Sequence, residues 1–490
     1  MTAAREKILE SKGFPVLSEY FNELFRSAYF LVFIAVATIC GFAFDQEIAS
    51  IYILLVFFAV NLVFVKDLSF FFLAMVFISI IPMKYGNKPL DGFFVVAYAA
   101  IFIVPALFFR FWLYPIKPIA GRNFFPLFVY SVVLVLGGLG SGILLRHYFA
   151  FYPIYTVLGL GFLQLALYFL FQNYLTEDPR RSAEHFAKMM CVVGAVCVGL
   201  IAYYVLSHII ATKELSLPSD LKWGWKNYIS DVMMLALPFA FYFAVRTKWT
   251  LPFLLFGCLQ YLFILITRSA GGILFGTMMM PFLVVYTLIR TKGKFRVQAA
   301  VLFGLALVAV LVVGVWKRAE LYELVKRKLD SGGTGRLDLY EIAWARFKEF
   351  PIFGVGVGHD HTQYPIMAER FGFIMTYFHS TVFQALGATG LVGLVGYMYM
   401  ALARLRTYIA KRDFNVFLLI GFLGYAFYSM IDVGTAIPLP FVGMTTFMLV
   451  VCERLADMEE MTDVRLKKSF YRTEREVSLD ETAARLSARV

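Results

Sequence analysis

The chain has 490 residues, of which 60% are hydrophobic, 18% aromatic and only 16% charged, with a mean hydropathy of +0.74. Soluble proteins carry roughly 25% charged residues, so a soluble enzyme, a disordered chain and a secreted disulfide scaffold are all excluded. The surplus of 45 basic over 33 acidic residues, a net charge of +12, acquires meaning only once it is placed along the chain.

Segment 1–27 mixes charged and apolar residues, and the apolar run behind it has no small-residue cleavage site. It reads as a cytoplasmic amphipathic segment with a surface helix over 5–25 rather than a cleavable signal. Fourteen apolar runs follow, at 28–44, 48–65, 68–82, 92–109, 124–145, 149–171, 186–210, 229–245, 250–266, 270–289, 297–316, 381–400, 414–430 and 435–452. Each approaches the length that crosses a hydrocarbon core of about 30 Å, although 68–82 is short enough to be tilted or re-entrant. Together they contain two charged residues, Lys188 and Asp231, each third in its span. Charge is costly in lipid, so this segregation is what insertion requires. The expected fold is all-α, a polytopic helical membrane protein with 12–14 transmembrane helices and one large outer-face loop.

Basic residues in short loops set orientation. With the N-terminus inside, the cytoplasmic side collects twenty, among them Arg110, Arg122, Arg404 and Arg406, and the opposite side seven, among them Lys84, Arg146 and Arg268. The bias predicts a cytoplasmic N-terminus in a bacterial plasma membrane protein. The chain then divides into the N-terminal segment 1–27, a bundle over 28–316, a loop over 317–380, C-terminal spans over 381–452 and a near-neutral cytoplasmic tail over 453–490. The five cysteines all fall inside spans, and Cys191 and Cys197 lack zinc spacing, so they read as packing residues. The basic charge is dispersed over loops, which argues against nucleic acid as a partner.

The 317–380 loop is the one long connection, and it falls on the outer side. It carries His359, His361 and His379, nine basic and eight acidic residues, and seven glycines. A loop this long inside a compact architecture is usually functional. Helical periodicity predicts helices at 319–329 and 336–350, the second with Leu337, Tyr340, Trp344 and Phe347 on one stripe, which suits a helix lying at a membrane interface. Between them Ser331-Gly332-Gly333-Thr334-Gly335 forms a flexible turn that delivers Arg336. Gly354-Val355-Gly356-Val357-Gly358 is not a nucleotide fingerprint, because no strand precedes it and no helix opens on its last glycine. A tight backbone that folds the loop back on the membrane face is the favoured reading, with direct phosphate cradling as the other.

Thr334-Gly335-Arg336, Trp344, Pro351-Ile352-Phe353-Gly354-Val355-Gly356, His379-Ser380, Gln384 and Gly390-Leu391-Val392-Gly393-Leu394 form an ordered pattern over 334–395. It resembles the O-antigen ligase/polymerase family, bacterial integral membrane glycosyltransferases that use undecaprenyl-pyrophosphate-linked glycans on the outer membrane face. By that resemblance Arg336 corresponds to a loop arginine and His379 to the catalytic histidine. A second arginine is usual in a Ser-Arg-Gly turn two spans earlier. Here Thr267-Arg268-Ser269-Ala270-Gly271-Gly272 places Ala270 at that position and arginine two residues before it. The usual His-Asn pair is His379-Ser380.

The resemblance implies an undecaprenyl-pyrophosphate-linked glycan donor, a glycan, lipid A core or protein acceptor, contact with membrane lipids, and no cofactor. Arginine suits the pyrophosphate because its planar fork binds phosphate bidentately. Histidine suits the acceptor hydroxyl because its pKa of about 6.5 lets it take a proton near neutrality. Arg336 and Arg268 are thus assigned to the pyrophosphate and His379 to the base. The loop has no Asp-x-Asp or metal-ligand cluster, which favours a metal-free, inverting displacement. Each role has a plainer counterpart: Arg268 can snorkel to headgroups, Arg336 can anchor its helix, and His379 can be structural. His359 and His361 are candidate acceptor contacts, and Asp432 a candidate cavity-lining residue, ahead of Asp231 and His208. A glycan-lipid flippase or other transporter is the rival class. It predicts internal repeats and midplane polar residues, and the sequence shows no repeat.

Overall fold

A computed structural model describes the chain apart from residues 1, 12, 81–88, 117, 143–156, 176–177, 215–225, 317, 320–321, 324–325, 327–335, 358–377, 410–412, 433–437 and 459–490. Every regular element among the described residues is helical. They run as α1 (Thr2–Leu9), α2 (Gly13–Arg26), α3 (Ala28–Ala43), α4 (Glu47–Phe64), α5 (Ser69–Ile80), α6 (Pro89–Leu113), α7 (Phe124–Gly142), α8 (Gln164–Tyr174) behind a π-helical turn Leu158–Leu163, and α9 (Pro179–Thr212). Then come α10 (Lys226–Arg246), α11 (Thr250–Ile266), α12 (Ala270–Arg290), α13 (Gly293–Trp316) and the loop helix α14 (Arg336–Glu349). A short α15 (Thr381–Gln384) passes through the π-helical turn Ala385–Thr389 into α16 (Gly390–Tyr408), α17 (Asp413–Tyr428) follows, and Pro438–Val442 leads into a last helix, α18, over 443–458.

Each of the fourteen apolar runs is helical over most of its described residues, and the protein is an all-α polytopic membrane protein. Five described helices are long and apolar enough to cross a membrane singly, or six if α2 and α3 count as one span bent by 66°. The bend is built locally. Ser27 ends α2 and caps α3, its hydroxyl accepting the Phe30 N–H at 3.1 Å, as short hydroxyl residues do at helix starts. Asp178 likewise accepts the N–H groups of Arg180 and Arg181 to open α9, with Pro179 at its first position.

The two faces of the bundle differ as lipid demands. α13 presents Val297, Val301, Leu305, Val308, Val312 and Val315 exposed, an apolar stripe at helical spacing that water would not tolerate on a soluble protein. α10 is the opposite case, buried continuously from Tyr228 to Ala244, and is the axis of the bundle. α5, the short run, is buried on nearly every residue. Its twelve described residues span about 18 Å, so it is an internal helix walled by its neighbours.

The burial of charge corrects one expectation. Arg110 and Arg404, read as cytoplasmic loop residues, are 0% and 6% exposed, and Glu453, assigned to the tail, is 0% exposed. Arg110 caps the C-terminal end of α4, donating to the carbonyls of Leu62, Val65 and Lys66, while its guanidinium lies over the Tyr174 ring at 4.1 Å. A cation over unpaired C-terminal carbonyls is favourable on both counts. Glu453 accepts from the Tyr168 hydroxyl at 2.8 Å, from Asn123 Nδ2 at 2.9 Å and from the Arg122 N–H, closing the N-terminal end of α7. A hydropathy window registers such residues as charge and so expels them, whereas partners in space allow them inside.

Candidate functional site

The site is assembled where three chain segments meet at one end of α10, α12 and α17. The turn 267–269 joins α11 to α12. Thr267 turns back on α11, its hydroxyl donating to Ile264 O at 2.7 Å, and Ser269 opens α12 by accepting Gly272 N–H at 3.3 Å. Arg268 between them sits at φ 56°, in the left-handed region that side chains rarely adopt, and is exposed. Its guanidinium has no ion pair or hydrogen-bond partner among the described residues. Gly271 and Gly272 follow because neighbours occupy the Cβ positions: a methyl at 271 would lie 2.5 Å from the Tyr428 ring, and one at 272 would lie 1.8 Å from Ser230 Oγ. These glycines dock the turn onto α17 and α10. Ser269 Oγ lies 3.5 Å from the Tyr428 hydroxyl.

The glycine run of the loop is structural in its described part. Gly354 and Gly356 take φ of 68° and 102°. Their N–H groups donate to Phe350 O and Ala388 O, and Val355 N–H to Gly387 O. A Cβ at Gly354 would fall 2.4 Å from the Ala388 carbonyl carbon. With the N–H groups of Gly354, Val355 and Gly356 all engaged, this backbone folds the loop onto the π-helical turn and does not offer those three N–H groups to a phosphate. α14 packs beside it through Leu339 and Ala343, both buried, while Leu337 and Trp344 of the predicted stripe are exposed. Tyr340 is the stripe residue that turns inward, stacking on Phe383 at 4.5 Å and 9°.

His379 is fixed from several sides. Phe378 N–H donates to Gln384 Oε1 at 2.8 Å, and Thr381 donates through both N–H and hydroxyl to Ser429 O, each at 2.8 Å. Tyr340 OH donates to His379 O at 3.1 Å. Burial pushes the Tyr340 phenol up from its ordinary pKa, with Arg336 opposing and Asp432 adding, so near neutrality it stays a donor. His379 itself sits at φ 50°. Two of the four described non-glycine residues at positive φ are therefore Arg268 and His379, a conformation that persists where the surroundings over-determine it.

Asp432 joins the parts. Its Oδ1 lies 3.1 Å from His379 Nδ1, and its Oδ2 lies 3.2 Å from Arg336 Nη2, 2.8 Å from Asn227 Nδ2 and 3.3 Å from the Tyr428 hydroxyl. It is 4% exposed. Arg336, at the first residue of α14, also donates through Nη1 to Ile431 O. A carboxylate can only accept, so Nδ1 is the nitrogen that donates to it, and in the neutral imidazole this leaves Nε2 as the acceptor. Arg336, His379 and Asp432 are brought together, and Arg268 is tied to them through Ser269 and Tyr428. His359 and His361 lie outside the described residues. Asn227 and Tyr428 escaped the sequence reading. Tyr428 is the last residue of α17 and Asp432 follows four residues later, just past its end, a nearness in sequence that was available to read, whereas Asn227 had no signal.

Behind Tyr428 sits Asp231, on α10, 1% exposed, with neither carboxylate oxygen hydrogen-bonded. His208 lies on α9, and its carbonyl accepts the Thr212 hydroxyl at 2.9 Å.

A multi-pass helical membrane protein that holds a histidine, an acid and arginines at its helix ends is the class that this fold and site define. Residues 253–398 match the family model described as O-Antigen ligase. The matched stretch runs from within α11 to within α16 and takes in the 334–395 pattern whose resemblance to that family the sequence showed. The match takes in Arg268, Arg336 and His379 and stops short of Asp432. It supports O-antigen ligase- or polymerase-type glycosyl transfer, with a lipid-linked glycan donor and a glycan acceptor in general terms. No curated protein matches the chain.

Proposed function

We propose that the protein transfers a glycan from undecaprenyl pyrophosphate to an acceptor hydroxyl on the outer face of a bacterial plasma membrane, as a surface-polysaccharide polymerase or ligase. The observation that carries the reading is Asp432 bridging His379 Nδ1 and Arg336 Nη2 at 3.1 and 3.2 Å. An imidazole held by a carboxylate on one nitrogen is a general base on the other, and fixed cations beside it stabilise a departing anion.

In the proposed step the acceptor oxygen attacks the anomeric carbon while His379 Nε2 takes its proton. The anomeric carbon–oxygen bond breaks, and its electron pair leaves with undecaprenyl pyrophosphate. A single displacement inverts the anomeric centre. Asp432 offsets the imidazolium charge as it forms. Arg336 is already engaged by Asp432 and Ile431, so its role combines positioning with contact to the pyrophosphate through its remaining N–H edges. Arg268, exposed and unpaired among the described residues, is the cation most open to the pyrophosphate. The arginines, rather than a metal, carry the charge in this reading. The N-terminus is placed in the cytoplasm and the 317–380 loop outside.

Purified protein given lipid-linked donor and acceptor tests this. His379→Ala and Arg336→Ala should abolish product, and unchanged product formation by both variants would refute the assignment. The ligase and polymerase readings separate genetically. Deletion leaves single repeats on the lipid for a polymerase, and long unligated chains for a ligase.

A further inference from the structure

The chain holds a buried cation that the proposed chemistry does not use. Arg404 lies fourteen residues into α16 from Gly390, about 21 Å along the helix from the end that meets the 351–356 backbone. It is 6% exposed, its Nε has no hydrogen-bond partner, and no carboxylate among the described residues pairs with it. One partner is neutral: with the Gln164 amide turned to satisfy both of its ends, its oxygen accepts from Arg404 Nη2 and its nitrogen donates to Leu160 O. An uncompensated ion inside a helical bundle is costly, and an intramembrane arginine points to a function of its own.

Beside Arg404 is a cavity of about 30 Å³, lined by Tyr130, Gln164, Tyr397, Tyr425 and Thr445 among others. The Tyr130 and Tyr425 phenols line this cavity together with Arg404, and neither hydroxyl has a hydrogen-bond partner among the described residues. Thr445 commits its hydroxyl proton to Phe441 O at 2.8 Å. The cavity therefore presents a positive charge and unused O–H and N–H donors, with the one nearby amide oxygen already turned to Arg404. Its volume admits one or two water-sized occupants and is too small for a phosphate or carboxylate group carrying a chain.

We propose that this cavity is a binding site for a monatomic anion of chloride size, which neutralises Arg404 and locks α7, α8, α16 and α17 together. The buried Arg404 charge, which no carboxylate among the described residues balances, favours an anion over a neutral water. The site is separate from the His379 cluster, and its ligand is independent of the glycan chemistry.

The test is the melting temperature of the detergent-purified protein as chloride replaces gluconate at constant ionic strength. A ligand that binds only the folded state stabilises it logarithmically above its dissociation constant. The melting temperature should therefore climb by roughly 1–2 °C per tenfold chloride. Bromide should substitute, and sulfate should not. Arg404→Gln should flatten the dependence. Should that variant fail to fold, the Tyr130→Phe, Tyr425→Phe double variant keeps Arg404 and should move the response to higher chloride. Equal melting temperatures in chloride and gluconate, which is the result expected of a water-filled cavity, would overturn the proposal. So would a chloride response unchanged in Arg404→Gln, or, if that variant does not fold, one unchanged in the double variant.

Discussion

Replacing Asp432 by asparagine changes one atom and one charge, and the structure dictates how the amide must sit. On one side of the carboxylate Oδ2 faces three donors, Asn227 at 2.8 Å, Arg336 at 3.2 Å and the Tyr428 hydroxyl at 3.3 Å, the last sharing its proton with Asn227 O at 3.0 Å, and on the other Oδ1 faces His379 Nδ1 at 3.1 Å. An asparagine satisfies most of them by keeping its oxygen on the three-donor side, which points its NH₂ at His379. The imidazole must then accept at Nδ1 and carry its proton on Nε2, so the nitrogen meant to take the acceptor proton is blocked. General-base catalysis contributes about 10²–10⁴ in rate, or roughly 3–5 kcal/mol of barrier at 1.36 kcal/mol per tenfold. Asp432→Asn should therefore lower kcat by that factor in a glycan-transfer assay with lipid-linked donor. KM should change little, because the three-donor side and Arg336 stay in place, and a melting curve should confirm folding. A variant that keeps its turnover within about threefold of wild type would refute the His379–Asp432 reasoning.

Two further substitutions test how the site is built. Gly271→Ala places a methyl 2.5 Å from the Tyr428 ring, and overpacking of this kind costs about 1–3 kcal/mol. It should lower both melting temperature and activity by displacing Tyr428 from Asp432, while Gly304→Ala, where nothing lies within 4 Å, should leave both unchanged. Arg268→Ala should raise KM for the lipid-pyrophosphate donor and lower kcat by about 10²-fold; Arg268→Lys should recover part of this, since lysine keeps the charge without the fork.

The fold was largely legible because lipid imposes one rule on the whole chain, and apolar runs such as 250–266 coincide residue for residue with their helices. The charges were read less well. Arg404 and Glu453 looked like loop and tail residues because hydropathy counts a charge without its surroundings, and Tyr168, 285 positions from Glu453, is invisible to any local pattern.

At the site, His379, Arg336 and Arg268 stood out through the motif resemblance. Asp432 entered only as a span-end acid, and its meeting with His379 depends on Thr381 hooking onto Ser429 O, a contact with no sequence signature. The stripe on α14 was seen, but its packing face was not. Ala343 is buried because Gly387 lets the two backbones approach, with the Ala343 Cα 3.2 Å from where a Cβ at 387 would sit.

The central claim is that His379 accepts a proton as a glycosidic bond forms. It is tested most directly by reconstituting the protein with undecaprenyl-pyrophosphate-linked glycan and acceptor, and measuring new glycosidic product against released undecaprenyl pyrophosphate. The account predicts the two in equal amounts for the wild type, and neither for His379→Ala at unaltered fold and donor binding. Movement of the intact glycan lipid across the bilayer with no bond formed, or equal product from His379→Ala, would contradict it.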